Sequence, residues 1–234
     1  MTHHAEGTGE YAHPESTVDQ AWSSSFLARL PAKVQSELRD TSVALTIPAG
    51  HIIYRAHDDP RLILVISGLV RIVAASPEGR KATIRYASRA DCVGMVSVVT
   101  DTQEVTAEAV TAAEVLFLNV GRLQHFARTE PAVGWPVAQF VGRVCTEVIE
   151  MMSSALFGSV RQRVARHLLD LAVRRGDDLV VVQDQQEIAD AIGSVREVAG
   201  RAIRDLRERG LVSRSDAGLR LDDPQGIHEI SLHG

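Results

Sequence analysis

Residues 183–212, QDQQEIADAIGSVREVAGRAIRDLRERGLV, constrain this chain more than any other stretch, because they hold two helix starts separated by a single glycine. Asp184 followed three residues later by Glu187 has the spacing of a capping box, and Ile188, Ala191 and Ile192 then recur on one helical face. A short helix therefore starts near Asp184 and ends at Gly193. Ser194 with Glu197 repeats the spacing and opens a second helix, whose Val195, Val198, Ala199, Ala202, Ile203 and Leu206 form an apolar stripe. Its other face carries Arg196, Glu197, Gly200, Arg201 and Arg204. Arg forks pair with guanine O6 and N7 and Glu accepts from cytosine N4, so this face suits the major groove. Gly210 closes the helix, and 211–213 and 219–221 flank the turn RSDAG, a hairpin that supplies a wing.

Charge supports a site-specific binder and not a protein that coats nucleic acid. The formal net charge is −5. Between residues 194 and 214, however, Arg196, Arg201, Arg204, Arg207, Arg209 and Arg214 face only Glu197, Asp205 and Glu208, a local balance of +3. Arg161, Arg163, Arg166, Arg174 and Arg175 are candidates for phosphate contacts, which position a protein without choosing sequence.

The string QQEIADAIGSVREVAGRAIRDLRERGLV resembles the DNA-binding region of the Crp/Fnr superfamily of bacterial transcription regulators, whose recognition helix begins R-E-x-x-x-R. Arg196, Glu197 and Arg201 match that signature in order. The resemblance implies that these three residues contact a TGTGA-like half-site, and that the partners are double-stranded DNA, a second copy of the chain and RNA polymerase. Val195 stands where the family often has Ser or Thr, which leaves the helix cap and a phosphate contact to Ser194.

Upstream, residues 1–23 are polar and are expected to form a flexible tail, whose His3, His4 and His13 have no geometry for a metal. Phe26, Leu27, Leu30, Val34 and Leu38 then fall at helical spacing. From Val43 to Phe117 the period becomes two, in short runs separated by Gly- and Pro-containing turns, which indicates a β-sandwich or barrel. IPAGHIIYRAHDDPRLILVISGLVRI and TAEAVTAAEVLFLN resemble the first half and the end of a cyclic-nucleotide-binding jelly roll. The expected fold is α+β. A sensor barrel spans 24–134, a dimerisation helix 135–158 and a winged helix-turn-helix 159–234.

Trp135-Pro136 is expected to open the long helix. Val137, Val141, Val144, Val148, Met151 and Ala155 are spaced 4, 3, 4, 3 and 4, a heptad seam that predicts contact with a second copy. A second stripe, Cys145, Ile149, Met152 and Leu156, is expected to pack on the chain's own barrel. Gly158-Ser159 marks a hinge at 157–159, whose rotation would set the spacing of two recognition helices that must lie about 34 Å apart.

The pocket departs from the family pattern. Relatives hold the ribose with the Glu of a G-E-x-x segment and the phosphate with an Arg on the loop after it; here Gly94-Met95-Val96-Ser97 has Met at the Glu position, and Asp101-Thr102-Gln103-Glu104 has no Arg. Val148 and Ile149 fall where hydroxyl side chains meet the adenine. Gly94, Met95, Gln103, Glu104, Val148 and Ile149 thus describe a degenerate pocket, and cyclic AMP is not the expected switch, leaving Arg89 or Arg143 as the cations that would have to replace the lost one. An unidentified apolar ligand or a redox signal is the alternative input. No cofactor or metal is expected: two cysteines, Cys92 and Cys145, cannot hold a four-Cys cluster, and no His falls near Gly94 as a haem ligand. Cys145 is expected in apolar surroundings that would make it unreactive. No catalytic spacing is present, so an enzyme is not indicated. With no long apolar run and no signal-peptide pattern, the chain is expected in the cytoplasm.

Overall fold

The computed structural model describes residues 17–75 and 81–233. The described chain opens with α1 (Thr17–Ser24), a single 3-10 turn (Phe26–Arg29) and α2 (Ala32–Asp40). The first helix corrects the expectation of a tail through residue 23. Ala21 and Trp22 are buried, and Trp22 Nε1 donates to Gln35 Oε1 on α2 at 2.9 Å. Composition averaged over a polar segment hides one aromatic anchor, whose buried area outweighs its polar neighbours. The rest of the expected tail, 1–16, lies outside the described residues.

Eight strands follow: β1 (Val43–Ile47), β2 (Ile52–Tyr54), β3 (Leu62–Ser67), β4 (Val70–Ala75), β5 (Lys81–Ala87), β6 (Cys92–Val93), β7 (Thr106–Ala109) and β8 (Ala113–Leu118), with α3 (Met95–Thr100) between β6 and β7. They form two antiparallel four-stranded sheets, ordered β1-β8-β3-β6 and β2-β7-β4-β5. The run LILVIS in β3 lacks polar alternation because it is buried on both faces. Ile63 and Val65 point between the sheets, while Leu62, Leu64 and Ile66 meet a helical layer.

That layer adds α4 (Val120–Thr129) and the long α5 (Pro131–Phe157) to α1 and α2. Helix α5 begins at Pro131, before the expected Trp135-Pro136, and Pro136 lies inside it. Proline is tolerated at the first position, where its missing N–H has no partner to lose, so Pro131 takes the role assigned to Pro136.

The orientation of α5 reverses the expected seam. Val137 is buried in the chain's own core, and Val141 and Val144 pack against it beside Phe140. Cys145, Ile149 and Met152 are exposed, the last two at 62% and 57%. Two apolar stripes were legible, but their spacings are identical, and nothing in a heptad pattern says which stripe meets the barrel. Phe140, which stacks on Phe26 with centroids 4.6 Å apart, decides it. The side chains of Met151 and Ala155 lie outside the described residues.

Helix α6 (Val160–Leu171) starts from a capping box in which Ser159 Oγ accepts from Gln162 N and Gln162 accepts from Ser159 N. Then come β9 (Val173–Arg175), β10 (Asp178–Val181), α7 (Gln185–Ala191), α8 (Arg196–Glu208), β11 (Val212–Ser215), β12 (Gly218–Leu221) and α9 (Pro224–His233). The four strands form one antiparallel sheet, ordered β11-β12-β10-β9. Its core, with Leu168, Ile188, Ala199, Ile203 and Leu206, is continuous with Leu69, Tyr86 and Val110 of the barrel. No helix among the described residues is long and apolar enough to cross a membrane.

Candidate nucleic-acid interface and barrel cavity

The local chemistry of residues 184–210 places the second helix firmly. Asp184 accepts from Gln186 N at 2.7 Å and Glu187 N at 2.9 Å, and Glu187 accepts from Asp184 N at 2.8 Å. Those backbone N–H groups hold the Asp184 carboxyl below its ordinary range. Gly193 closes α7 at φ +62°, a conformation other residues adopt only at a cost, and turns the chain into α8. Val195, not Ser194, is the N-cap of α8, and no side chain caps the helix. Ser194 instead donates its N–H to Ala189 O at 2.9 Å, closing the turn.

Arg196, Glu197, Arg201 and Arg204 are exposed on α8. With Arg207 and Arg214 they line a shallow concave surface, on which Glu197 is the one carboxylate. Asp205 is directed away, to Arg161 at 3.3 Å and Arg209 at 3.1 Å. Gly200 serves a different end from the one expected: a Cβ there would meet Gln185 Oε1 at 3.3 Å, so its lack of a side chain lets α7 approach α8. Gln185, at the start of α7, and Arg214, on the β11–β12 wing, belong to this surface and were not singled out as readers from the sequence; only the fold brings them beside α8.

Four of the arginines expected on phosphates are engaged within the protein, Arg161 with Asp205 and three others with backbone carbonyls. Arg163 donates to Ile192 O at 2.8 Å, Arg166 to Thr83 O at 2.8 Å and Arg174 to Val110 O at 2.9 Å. The last two join the C-terminal part to the barrel. At the same contact Tyr86 Oη donates to Asp170 Oδ1 at 2.9 Å, the Arg166 guanidinium lies 5.2 Å from the Tyr86 ring centroid, and the His228 ring packs tilted against it with centroids 5.1 Å apart. Burial, with the Asp170 charge, pushes the Tyr86 hydroxyl up, so it remains a donor.

The barrel holds a cavity of about 300 Å3 between β5, β6, α3 and α5. Its wall includes Ile72, Ile84, Val93, Met95, Val144 and Val148. Gly94 is required at its edge: φ is +100°, and a Cβ would fall 1.8 Å from Arg61 O. Of the expected pocket residues, Gly94, Met95, Glu104 and Val148 line it. Gln103 does not; it is buried behind the wall, accepting from Arg61 N at 3.3 Å and donating to Val105 O at 3.1 Å. Ile149 faces outward on α5. The wall also contains a cation that the sequence reading missed, Arg85. Its guanidinium donates to Glu147 at 2.7 Å, Asp91 at 3.1 Å and Cys92 O at 3.4 Å. Arg143 stands 3.8 Å from the same Glu147, and Arg89 donates to Gln20 at the surface. A cyclic phosphate therefore does not fit these residues, since the guanidinium that would receive it already faces two carboxylates.

Cys92 is buried, and burial together with Asp91 raises its thiol far above the ordinary range, so it is unreactive. Cys145 corrects the expectation of apolar surroundings, since it is exposed on α5. Among the described residues, no group of three or more His, Cys, Asp or Glu could hold a metal ion.

Comparison with known proteins places both halves. Residues 44–130 match the cyclic nucleotide-binding domain family, and residues 162–230 match the Crp-like helix-turn-helix domain. The transcriptional regulator LdrP of Thermus thermophilus is 32% identical over 167 residues, 69% of this chain and 83% of that protein. A CRP-like cAMP-activated global transcriptional regulator of Mycobacterium tuberculosis is 29% identical over 190 residues, 77% of this chain and 84% of the relative. A solved structure of a Crp/Fnr-family transcriptional regulator from Eubacterium rectale matches with TM-score 0.58 at 21% identity, covering 88% of this chain and 97% of that one. The c-di-GMP responsive global regulator CLP of Xanthomonas campestris has TM-score 0.51 at 24% identity, with 82% and 99% covered, a likeness of fold. A two-helix reader with its wing, carried behind a jelly roll and a long helix, and relatives that match along both parts, place this chain in the Crp/Fnr superfamily of transcription regulators.

Proposed function

We propose that the chain acts as a cytoplasmic homodimer that recognises a palindromic, TGTGA-like DNA site through Arg196, Glu197 and Arg201, contacts RNA polymerase, and does so without cyclic AMP as its switch. The observation that carries the DNA reading is the exposed row of Arg196, Glu197, Arg201 and Arg204 on a helix whose opposite face, Ala199, Ile203 and Leu206, is buried. Five arginines against one carboxylate line that surface, so phosphate attraction and base reading act on the same face. Ser194 sits at the turn before it and Arg204 and Gly200 follow along it; Arg204 is assigned to phosphate or base, and Gly200 to the close approach of α7.

The cavity supports the second half of the reading. Glu104 and Met95 occupy its wall, and Arg85 is neutralised within the protein. An added anion would lack a free guanidinium and would be held without compensation in an apolar cavity.

Binding to labelled duplexes carrying each single-base change of a palindromic half-site tests both halves. Arg201→Ala should lose about 1–3 kcal/mol of discrimination at one base pair. Parent affinity should change less than about threefold with millimolar cyclic AMP, which is under ~0.7 kcal/mol of coupling. A variant that discriminates as the parent does would remove α8 as the reader. A tenfold or larger gain with cyclic AMP would return the barrel to nucleotide gating.

A further inference from the structure

We infer that the barrel cavity is a binding site for a neutral, largely apolar small molecule, and that it excludes anions because the Arg85 in its wall is already matched by Asp91 and Glu147. The inference rests on the reading of this chain as a regulator that has lost cyclic-nucleotide gating, and it names the chemistry that the same cavity accepts instead.

Shape and charge both argue for this class. About 300 Å3 is room for a molecule of two or three fused or linked rings, and aliphatic side chains, Met95 and Phe140 make up most of the wall. An apolar occupant gains from such a wall in proportion to the area it buries. Electrostatics sets the exclusion. Arg85 is the cation at the wall, its side chain 12% exposed, and it meets Glu147 and Asp91 at 2.7 and 3.1 Å. Arg143 shares Glu147 at 3.8 Å, and Glu104 adds another carboxylate at the wall. Arg85 and Glu104 are the charged residues that line the space, and Arg85 already faces Asp91 and Glu147, so an entering anion meets no uncompensated cation. A neutral molecule carries no such penalty. The Arg85 guanidinium has five N–H donors, of which three are used on Glu147, Cys92 and Asp91. The remaining two can meet a carbonyl, ether or hydroxyl oxygen, so one acceptor on the ligand would fix its orientation.

N-Phenyl-1-naphthylamine and its 8-sulfonate share one ring skeleton and differ by the sulfonate group, which carries one negative charge, and both brighten in apolar surroundings. Titrated into the purified full-length chain without DNA, the neutral probe should bind at one per chain and at least tenfold more tightly than the sulfonate. Val96→Trp and Val148→Trp, placed at the cavity wall where Val96 is 49% exposed and tolerates a larger ring, should each weaken the neutral probe at least tenfold. Glu147→Gln should close the gap between the two probes by strengthening the sulfonate, while cyclic AMP should displace neither from the parent. Equal binding of the two probes by the parent, or neutral binding that survives both tryptophan variants, would overturn the assignment. Because the probes are read without DNA, a chain that bound no specific duplex would overturn the regulator reading and leave this result standing.

Discussion

Val195 and Asp184 show the two ways a helix start is met in the reading unit. At α7 the carboxylate of Asp184 satisfies two backbone N–H groups, whereas at α8 the cap position holds a valine, which has no acceptor to offer. Its φ of −98° and ψ of 150° are those of an ordinary cap. Val195→Ser is therefore expected to stabilise the fold by about 0.5–2 kcal/mol, read as a raised denaturant midpoint at unchanged slope. An unchanged or lowered midpoint would mean that the turn at Ser194 already meets those N–H groups. Asp184 makes a pH prediction whose sign follows from its depressed folded-state pKa. Its contribution is complete above the unfolded-state value of roughly 3.9 and disappears as pH falls through the lower folded-state value. Asp184→Asn keeps the acceptor and loses the charge, so the stability gap between parent and variant should be present at pH 6 and close as pH drops below 4. A gap that widened in acid would contradict the bond pattern at this cap.

Helix α5 is where an element's pattern was readable and its direction was not. Val137, Val141 and Val144 and the stripe Cys145, Ile149 and Met152 obey one heptad rule, and the barrel takes the first. Two substitutions five residues apart on this helix should therefore differ in kind. Ile149→Asp should leave the chain folded and shift it from dimer to monomer in sedimentation at micromolar concentration, because the outward stripe would meet its own copy. Val144→Asp should lower thermal stability by about 2–4 kcal/mol, because a carboxylate would enter an apolar core. If Ile149→Asp stayed dimeric, some other surface would join the copies. The same contrast explains what else was and was not legible. Periodicity of two located seven of the eight strands of the barrel, missing β6, whose two residues are too few to show a period, and the capping spacings located α7. The β9–β10 hairpin was missed because VRRGDDLVV mixes charge into a short run, and Leu179 and Val181 are buried only in a core that distant helices complete. Arg85 was missed as a pocket residue because its role depends on Glu147, which is 62 residues away in sequence. Ser194 was chosen as a cap over Val195 on chemistry, and backbone geometry decided otherwise.

At the scale of the whole molecule, the DNA-binding part rests on the barrel through Leu69, Tyr86 and Val110, with Arg166 and Arg174 donating across to Thr83 O and Val110 O. The two parts are therefore expected to unfold together. Tyr86→Phe removes the donor to Asp170, a hydrogen bond to a charged group worth about 1.5–3 kcal/mol, and should split a single calorimetric transition into two or broaden it. One sharp transition at an unchanged temperature would show that the apolar contact alone unites them.

Strand β5 ties these scales together by parity. Past the irregularity at Ile84, which lines the cavity beside Arg85, successive side chains of β5 leave opposite faces, so Arg85 looks into the cavity while Tyr86, the next residue, touches the DNA-binding part. Their Cα atoms are about 3.8 Å apart, the length of one peptide unit. Whatever shifts Arg85 along the strand shifts Tyr86 with it, as two ends of one rigid plank, and the chain needs no relay of intervening residues between cavity and reader. The same arrangement is brittle in evolution: deleting or inserting one residue in β5 would exchange the two faces, setting a phenol in the cavity and a guanidinium against α6.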